Sequence, residues 1–476
     1  MNTALIMNTI LSFIIQSLIA ALAVSEYGDT LVNRNSGIPM VPASNMKLIT
    51  TGTALESLGG GYRWETGIAY SGKIENGVLK GDLYIVGGAD PTLGAKLGFA
   101  EDFSLVLDRW TEMVRRAGIR KIEGFVVGDG RCMDGPMEDP TWLWEDLGTY
   151  YGAGASGLSF YENRKTFRVT PGNSVGSALT IEDGYPATPW MEYDFSACST
   201  GKKGTGDKLY LFTSDLAPVG RMRGTFALEK KPKDVECSNK FPEYTCASEL
   251  LGRLESAGIR CTEGAADLGP VFGLPRERVV PASDLTHIGS TSGATLAKVI
   301  RETNVESDNF LAEMLFRTMG MSSGGHGSIE ESRRAVRDRL EKMGVEGTVV
   351  IRDGSGLSRT GYISPSAMCS FLKKMYTCAD FPVFLNSLPI AGLEGTVSMR
   401  LRELPERQRM RVRMKSGSME GVRCYSGYIL PEEFGKNGDT AKGALIFFSY
   451  MVNNSTESSA AMNAAADEFI AELLRK

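Results

Sequence analysis

Three short motifs, Ser44-Asn45-Met46-Lys47, Ser307-Asp308-Asn309 and Lys415-Ser416-Gly417, follow one another at intervals of 263 and 108 residues, counted from Ser44 to Ser307 to Lys415. Together they carry the side chains from which an acyl-transfer site can be built, and for that they must meet in space. A site drawn from both ends of the chain makes the long first interval an insertion between two parts of one domain. At 476 residues the chain has room for about three units of roughly 150 residues each.

Local context separates the informative copies from chance ones. Ser-x-x-Lys occurs at Ser44–Lys47, Ser199–Lys202 and Ser370–Lys373. The second opens a Gly-rich polar run and is expected to be a loop. The third sits in the apolar pattern Met368, Phe371, Leu372, Met375, expected to be an ordinary packed helix. Ser44 follows Pro42-Ala43, and Leu48, Leu55 and Leu58 continue at helical spacing as far as Gly59-Gly60-Gly61. That is the pattern of a helix start and stop. In its first turn, residues three apart share a face, which brings the Lys47 amine within reach of the Ser44 hydroxyl. Taken alone, Ser44 reads equally well as a helix cap. Ser307-Asp308-Asn309 is the only Ser-x-Asn; it lies between the helical patterns 296–303 and 310–319, as a loop or short turn that can also cap the second helix. Lys415-Ser416-Gly417, the only Lys-(Ser/Thr)-Gly, ends the alternating run Arg411–Met414, a strand pattern, with 425–430 as its expected partner.

Longer stretches carry a family resemblance: Gly81–Thr92 (GDLYIVGGADPT), Arg301-Glu302-Thr303-Asn304 before Ser307, Asp353-Gly354-Ser355-Gly356-Leu357-Ser358-Arg359, Leu388–Gly392, and Phe448–Asn454. On these the chain resembles the class C low-molecular-mass penicillin-binding proteins, the D-alanyl-D-alanine carboxypeptidases and endopeptidases of peptidase family S13. The likeness runs from about residue 20 to the C-terminus and is weakest between about 160 and 260. A class A β-lactamase has a far shorter first interval. The resemblance implies an α/β multi-domain protein with a β-lactamase/transpeptidase-like catalytic domain, an antiparallel sheet flanked by helices, made of residues 1–93 and 281–476. A second domain, 94–170 with 241–280, would be inserted in it, and a third, 171–240, nested within the second. Ala444–Phe448 is expected to be a buried central strand. Met462, Ala465, Phe469, Ile470, Leu473 and Leu474 mark an amphipathic helix lying on the sheet.

Chemistry can be assigned by role. A serine hydroxyl is a weak nucleophile until a base takes its proton. The chain has only two histidines, His287 and His326, the latter in a Gly-rich run, so a Ser-His-Asp triad is rejected. Lys47 is the expected base for Ser44, if burial and a second cation, Lys415, lower its pKa. The resemblance implies that Ser307 relays a proton between Ser44 and Lys415 and that Asn309 bonds the substrate amide. Ser416 would bind the terminal carboxylate with Lys415, standing where many relatives have Thr. Gly417 and Ser418 complete the binding strand, and the N–H groups of Ser44 and Ser418 would form an oxyanion hole worth about 3–4 kcal/mol per donor. In Trp142-Leu143-Trp144-Glu145-Asp146, Asp146 is a candidate for meeting an amino group of the substrate; equally, the stretch is an aromatic-rich packing loop. The implied activity is that of a serine D-Ala-D-Ala carboxypeptidase, with D,D-endopeptidase activity on peptidoglycan stem peptides, and with β-lactams as covalent inhibitors. Two other readings are a serine β-lactamase and a silent peptidoglycan-binding protein. No cofactor and no metal is expected.

The remaining features bound the setting. Residues 1–25 carry no charged side chain, and Leu5–Val24 is largely apolar, but no Lys or Arg supplies the basic flank of an export signal. We expect a folded helix followed by a strand at Ala21–Ser25, with the export signal missing from this sequence, and membrane association stays open. The substrate class places the expected site of action in the periplasm or elsewhere outside the cytoplasm. The eight cysteines, at 132, 198, 237, 246, 261, 369, 378 and 424, match no zinc spacing, and their pairing cannot be read from sequence. A bridge among Cys198, Cys237, Cys246 and Cys261 and free buried thiols are both open. A net charge of −5 without a dense basic run argues against nucleic acid as a partner.

Overall fold

The structure, a computed structural model, describes residues 18–432 and 443–475. The expected N-terminal helix falls largely outside the described residues, and the strand after it begins at Leu18, three residues before the expected Ala21. Two compact units are present: one comprises the chain up to Tyr62, Leu296–Ser323 and everything from Ile329, the other Arg63–Thr295 with Gly324–Ser328.

The first unit is built on an antiparallel sheet. In chain order its labelled elements are β1 (Leu18–Ser25), β2 (Thr30–Arg34), α1 (Met46–Leu58), α2 (Leu296–Val305), α3 (Asn309–Ser322), α4 (Pro365–Tyr376), β3 (Val412–Met419), β4 (Val422–Ile429), β5 (Ile446–Asn453) and α5 (Ser459–Leu473). The strand order is β2-β1-β5-β4-β3, and every residue of β5 is buried. That is why the expected apolar run Ala444–Phe448 shows no alternation where it enters β5, which itself starts at Ile446 and continues past Ser449 to Asn453. Ile446, Phe448, Tyr450 and Val452 face a core shared with Phe469, Ile470 and Leu473 of α5. Phe447, on the other face, meets Tyr376 of α4 and Tyr428. Burying each such side chain contributes about 1.5–3 kcal/mol.

The second unit centres on a five-stranded sheet ordered 264–266, 125–129, 83–86, 63–70, 286–295. Helices Phe103–Arg116 and Pro242–Ser256 cover it through Trp110, Val114, Leu250 and Leu254. Two three-stranded sheets between residues 164 and 238 enclose a separate cluster including Phe167, Leu211, Met222 and Phe226. The division differs from the boundaries expected at 93 and 280. Arg63–Tyr70 pairs with Thr286–Thr295 on one side and with Leu83–Val86 on the other, so the strands where the chain enters and leaves the second unit are hydrogen-bonded to each other. The family-like stretch Gly81–Thr92 therefore belongs to the second unit.

One local expectation is corrected, and one left open is decided. Ser199 is not in a loop: it continues the strand Glu192–Gly201, paired with Val219–Ala227, and the glycine turn begins only afterwards. All eight cysteines are unpaired thiols; Cys198 and Cys237 pack in the Phe167 cluster as small apolar side chains. Ser370 does lie in a packed helix, α4.

Candidate active site

The turn before α1 sets the geometry. Pro42 leads into a 3₁₀ turn, Ala43–Asn45, which runs directly into α1. Ala43 has φ 45°, a left-handed conformation that costs a non-glycine residue on the order of 1–2 kcal/mol. The surroundings hold it there: Ala43 is fully buried, and Gly356, itself at φ +79°, packs so closely that a Cβ on it would lie 1.9 Å from the Ala43 carbonyl oxygen. Asn45 ties the turn to the sheet, donating to Ser426 Oγ at 2.8 Å, and Ser426 donates on to Ser449 Oγ at 2.9 Å.

From this turn Ser44 stands half-buried and Lys47 fully buried. Lys47 Nζ donates to Ser44 Oγ at 3.0 Å, to Asn309 Oδ1 at 2.6 Å and to the Ser355 carbonyl at 2.9 Å. Ser307 sits in the link between α2 and α3 at φ 63°; the cap of α3 is Asp308, which accepts from the Leu311 N–H. Ser307 Oγ accepts from Lys415 Nζ at 2.8 Å, and Lys415 also donates to the Ser416 carbonyl at 2.8 Å. Lys415, Ser416 and Gly417 lie inside β3 and not at its end. Gly417 is required by proximity, because a Cβ there would come within 2.5 Å of the Pro42 carbonyl and 3.2 Å of the Ser44 nitrogen. Since Met414 N–H points to the Pro389 carbonyl, on the edge away from β4, the two-residue period directs the N–H groups of Ser416 and Ser418 to that same edge. All of these residues belong to the first unit.

Burial governs the electrostatics. The Lys47 ammonium is pushed down to about 8 by desolvation, against the opposing pull of Asp308, Asp353 and Glu313. Burial holds Lys415 well below the usual lysine range, and the charge of Lys47 lowers it further. The repulsion between the two ammonium groups acts on both of them, beside the larger effect of burial. The two amines titrate as a coupled pair, and burial raises the fraction of free amine beside the serine hydroxyl at neutral pH well above that of an ordinary lysine.

Of the sequence-derived candidates, Ser44, Lys47, Ser307, Asn309, Lys415, Ser416, Gly417 and Ser418 come together. Asn309 turns its amide oxygen to Lys47, and Ser416 Oγ donates to Thr396 Oγ1 at 2.8 Å. Asp146 lies in the second unit, where it accepts from the Tyr151 hydroxyl at 3.1 Å. Sequence reasoning missed Thr396, for which we find no signal, and the contribution of 353–358, noticed only as a family stretch. It also missed Glu313, whose signal was an acidic residue in the otherwise apolar opening of α3. Among the described residues no His/Cys/Asp/Glu cluster suited to a metal is present, and no helix is long and apolar enough to cross a membrane.

The D-alanyl-D-alanine carboxypeptidase of Actinomadura sp. (strain R39) is 28% identical over 420 residues, covering 84% of this chain and 73% of that protein. The D-alanyl-D-alanine carboxypeptidase DacB of Haemophilus influenzae is 24% identical over 426 residues, covering 89% and 82%. In fold, the crystal structure of penicillin binding protein 4 (dacB) from H. influenzae superposes with a TM-score of 0.80 at 21% identity, covering 100% of this chain and 99% of that one. The same protein complexed with a β-lactam superposes at 0.75 with 20% identity, covering 98% of each. The family profile for D-Ala-D-Ala carboxypeptidase 3 (S13) matches residues 15–473, and the chain belongs to that family of serine-type carboxypeptidases.

Proposed function

We propose that this enzyme cleaves peptidoglycan stem peptides ending in D-Ala-D-Ala through an acyl-enzyme on Ser44. The observation that carries the reading is the 3.0 Å contact between the buried Lys47 amine and the Ser44 hydroxyl. As the free amine, Lys47 takes the hydroxyl proton while Oγ attacks the carbonyl of the penultimate D-Ala. The oxyanion that forms is held by the N–H groups of Ser44 and Ser418. Collapse breaks the peptide bond, and the departing amine of the terminal D-Ala receives a proton through Ser307, which is in contact with Lys415. Water then attacks the ester, and the proton it releases restores the starting state. Lys415, Ser416 and Thr396 gather at the place a terminal carboxylate would occupy, and Asn309 borders the substrate amide. Asp146 is proposed to meet an amino group of the stem peptide.

The same steps cut a cross-link when the leaving amine belongs to a neighbouring peptide, which is D,D-endopeptidase activity. A β-lactam acylates Ser44 with no leaving group to diffuse away. The β-lactam complex of the H. influenzae protein supports that extension. Murein lies outside the cytoplasm, so the enzyme is proposed to act there.

Labelling with a fluorescent penicillin, followed by peptide mass mapping, tests the reading. A stable adduct on Ser44 that is absent from Ser44→Ala, with release of D-Ala from a D-Ala-D-Ala muropeptide, is the expected result. No adduct on folded protein at high probe and long exposure would move the assignment to a binding protein, and fast probe hydrolysis would move it to a β-lactamase.

A further inference from the structure

A free amine that is to act as a base has two N–H bonds and one lone pair, and its efficiency depends on where the lone pair points. In this site the two neutral acceptors other than the nucleophile, Asn309 Oδ1 and the Ser355 carbonyl, engage Lys47 Nζ at 2.6 and 2.9 Å. When they hold the two N–H bonds, the tetrahedral geometry of nitrogen leaves the lone pair for the Ser44 hydroxyl. Asn309 is fixed as the first residue of α3. Ser355 is on a connecting segment, where a carbonyl has no helix or sheet to hold it.

What holds it is a pair of buried carboxylates. Glu313 Oε2 accepts the Gly354 N–H at 3.1 Å and Oε1 accepts the Ser355 N–H at 2.7 Å. Asp353 Oδ1 accepts the Gly356 N–H at 2.9 Å and Oδ2 the Ser358 N–H at 2.7 Å. Three successive peptide planes, those preceding residues 354, 355 and 356, are therefore pinned, the first two by Glu313. Thr50 of α1 adds a bond to the Gly354 carbonyl at 2.6 Å. Glu313 also stands four residues after Asn309, on the same face of α3. One helix face thus supplies one acceptor of the lysine directly and, through Glu313, holds the N-terminal side of the residue that carries the other, while Asp353 holds the 355–356 peptide plane itself.

We propose that Glu313 is a positioning residue for Lys47: by holding the N–H side of Ser355, with Asp353 holding the plane beyond it, it keeps the Ser355 carbonyl where the lone pair of the amine is aimed at Ser44. Glu313 touches neither substrate nor reacting atoms in this role, and the proposal rests on the reading of Lys47 as the base. Burial, with Asp353 beside it, pushes the Glu313 carboxyl up to about 8. An acid kept in so unfavourable a setting, where an apolar side chain would pack freely, is consistent with a task that only its two oxygens perform.

The test is the kinetics of penicillin acylation, resolved by concentration dependence into a pre-covalent dissociation constant and an acylation rate constant. Glu313→Gln retains shape but turns an NH₂ group toward one amide donor. It should lower the acylation rate constant by roughly tenfold to a hundredfold, the scale of a misplaced reacting group, and leave the dissociation constant within about twofold. Leu315→Ala, a buried position on the same helix away from the loop, serves as the control for lost stability alone. An unchanged acylation rate constant in Glu313→Gln overturns the proposal, as does a loss no larger than that of a Leu315→Ala protein of equal melting temperature. Should the glutamine variant not fold, Glu313→Asp, which withdraws the carboxylate by one methylene, must show the same selective loss; a wild-type rate constant in it overturns the proposal. Wild-type protein that forms no Ser44 adduct, or Lys47→Met that acylates as fast as wild type, is a failure of the functional reading, recognisable before any Glu313 variant is measured.

Discussion

Among the described residues each of the two units buries two lysines, and the two units treat them differently. In the second unit Lys165 is paired with Asp183 at 2.7 Å and donates to the carbonyls of Pro186 and Gly184 at 2.7 and 3.2 Å. Lys240 is paired with Glu138 and donates to the Leu147 carbonyl. In the first unit Lys47 is given a hydroxyl, an amide oxygen and a carbonyl, and Lys415 a hydroxyl and a carbonyl. At Lys165 burial lowers the ammonium pKa and Asp183 opposes that pull; a carboxylate partner of this kind offsets part of the cost of burial and ties segments together. An ammonium surrounded by neutral acceptors, with a second ammonium nearby, is costly to keep charged and is ready to give its proton up. Partner choice separates a structural lysine from a reactive one.

The sharpest break of this contrast is a pair of substitutions. Lys47→Met should reduce acylation by penicillin roughly 10²–10⁴-fold, the range for loss of a general base. Its resistance to urea should hold or increase, because a fully buried charge whose desolvation Asp308, Asp353 and Glu313 only partly offset is replaced by an apolar chain of similar length. Lys165→Met should leave acylation within about twofold and destabilise by about 1–3 kcal/mol, because two carbonyls lose their donor. A Lys47→Met protein less stable than Lys165→Met would sink the comparison.

Next in size is pH dependence. With Lys47 at about 8, the acylation rate should climb as pH rises through that value and level off above it. Stopped-flow acylation between pH 6 and 9.5 measures the midpoint; a rate flat across that range counts against Lys47 as the base. Stability is affected over a higher window. The unfolded chain keeps the lysine proton up to about 10.5, so between 8 and 10.5 it binds more protons than the folded state, and stability gains from this residue as pH rises. Below 8 the burial penalty is full and constant. The stability advantage of Lys47→Met over wild type should accordingly shrink between pH 8 and 10, as read by urea midpoints. The smallest effect belongs to the hydroxyls: Thr396→Ala should weaken the pre-covalent complex with a D-Ala-D-Ala peptide by about two- to tenfold, the worth of one hydrogen bond, with turnover nearly intact.

How much of this could be read from the sequence depends on how local each feature is. Ser44 and Lys47 are joined by helical spacing, Lys415 by strand alternation, and the start of β5 by an unbroken apolar run, so each announces itself within about ten residues. The exit from the first unit at Tyr62 is not local: it depends on Arg63–Tyr70 finding Thr286–Thr295, more than two hundred residues on. That partner, THIGSTSGAT, is small, polar and nearly without apolar alternation. The Ser355 carbonyl is invisible for another reason, since every residue carries one and only the fold decides which of them meets an amine. Asp146 remains a proposal, its aromatic neighbourhood being equally suited to packing.

The position of β3 at the margin of the sheet has a further consequence, for how the protein behaves in company. Its first half is occupied, with Arg413 bridged to Ile390 and the Val412 carbonyl taken by Ala391 N–H. Beyond it the N–H groups of Ser416 and Ser418 face the same outer edge, where the Ser416 carbonyl accepts from Lys415 Nζ. A stretch so short can line up with the end of an extended peptide but is too short to nucleate sheet-to-sheet growth between copies. A short open edge of this kind suits pairing with a single extended segment better than with a second sheet.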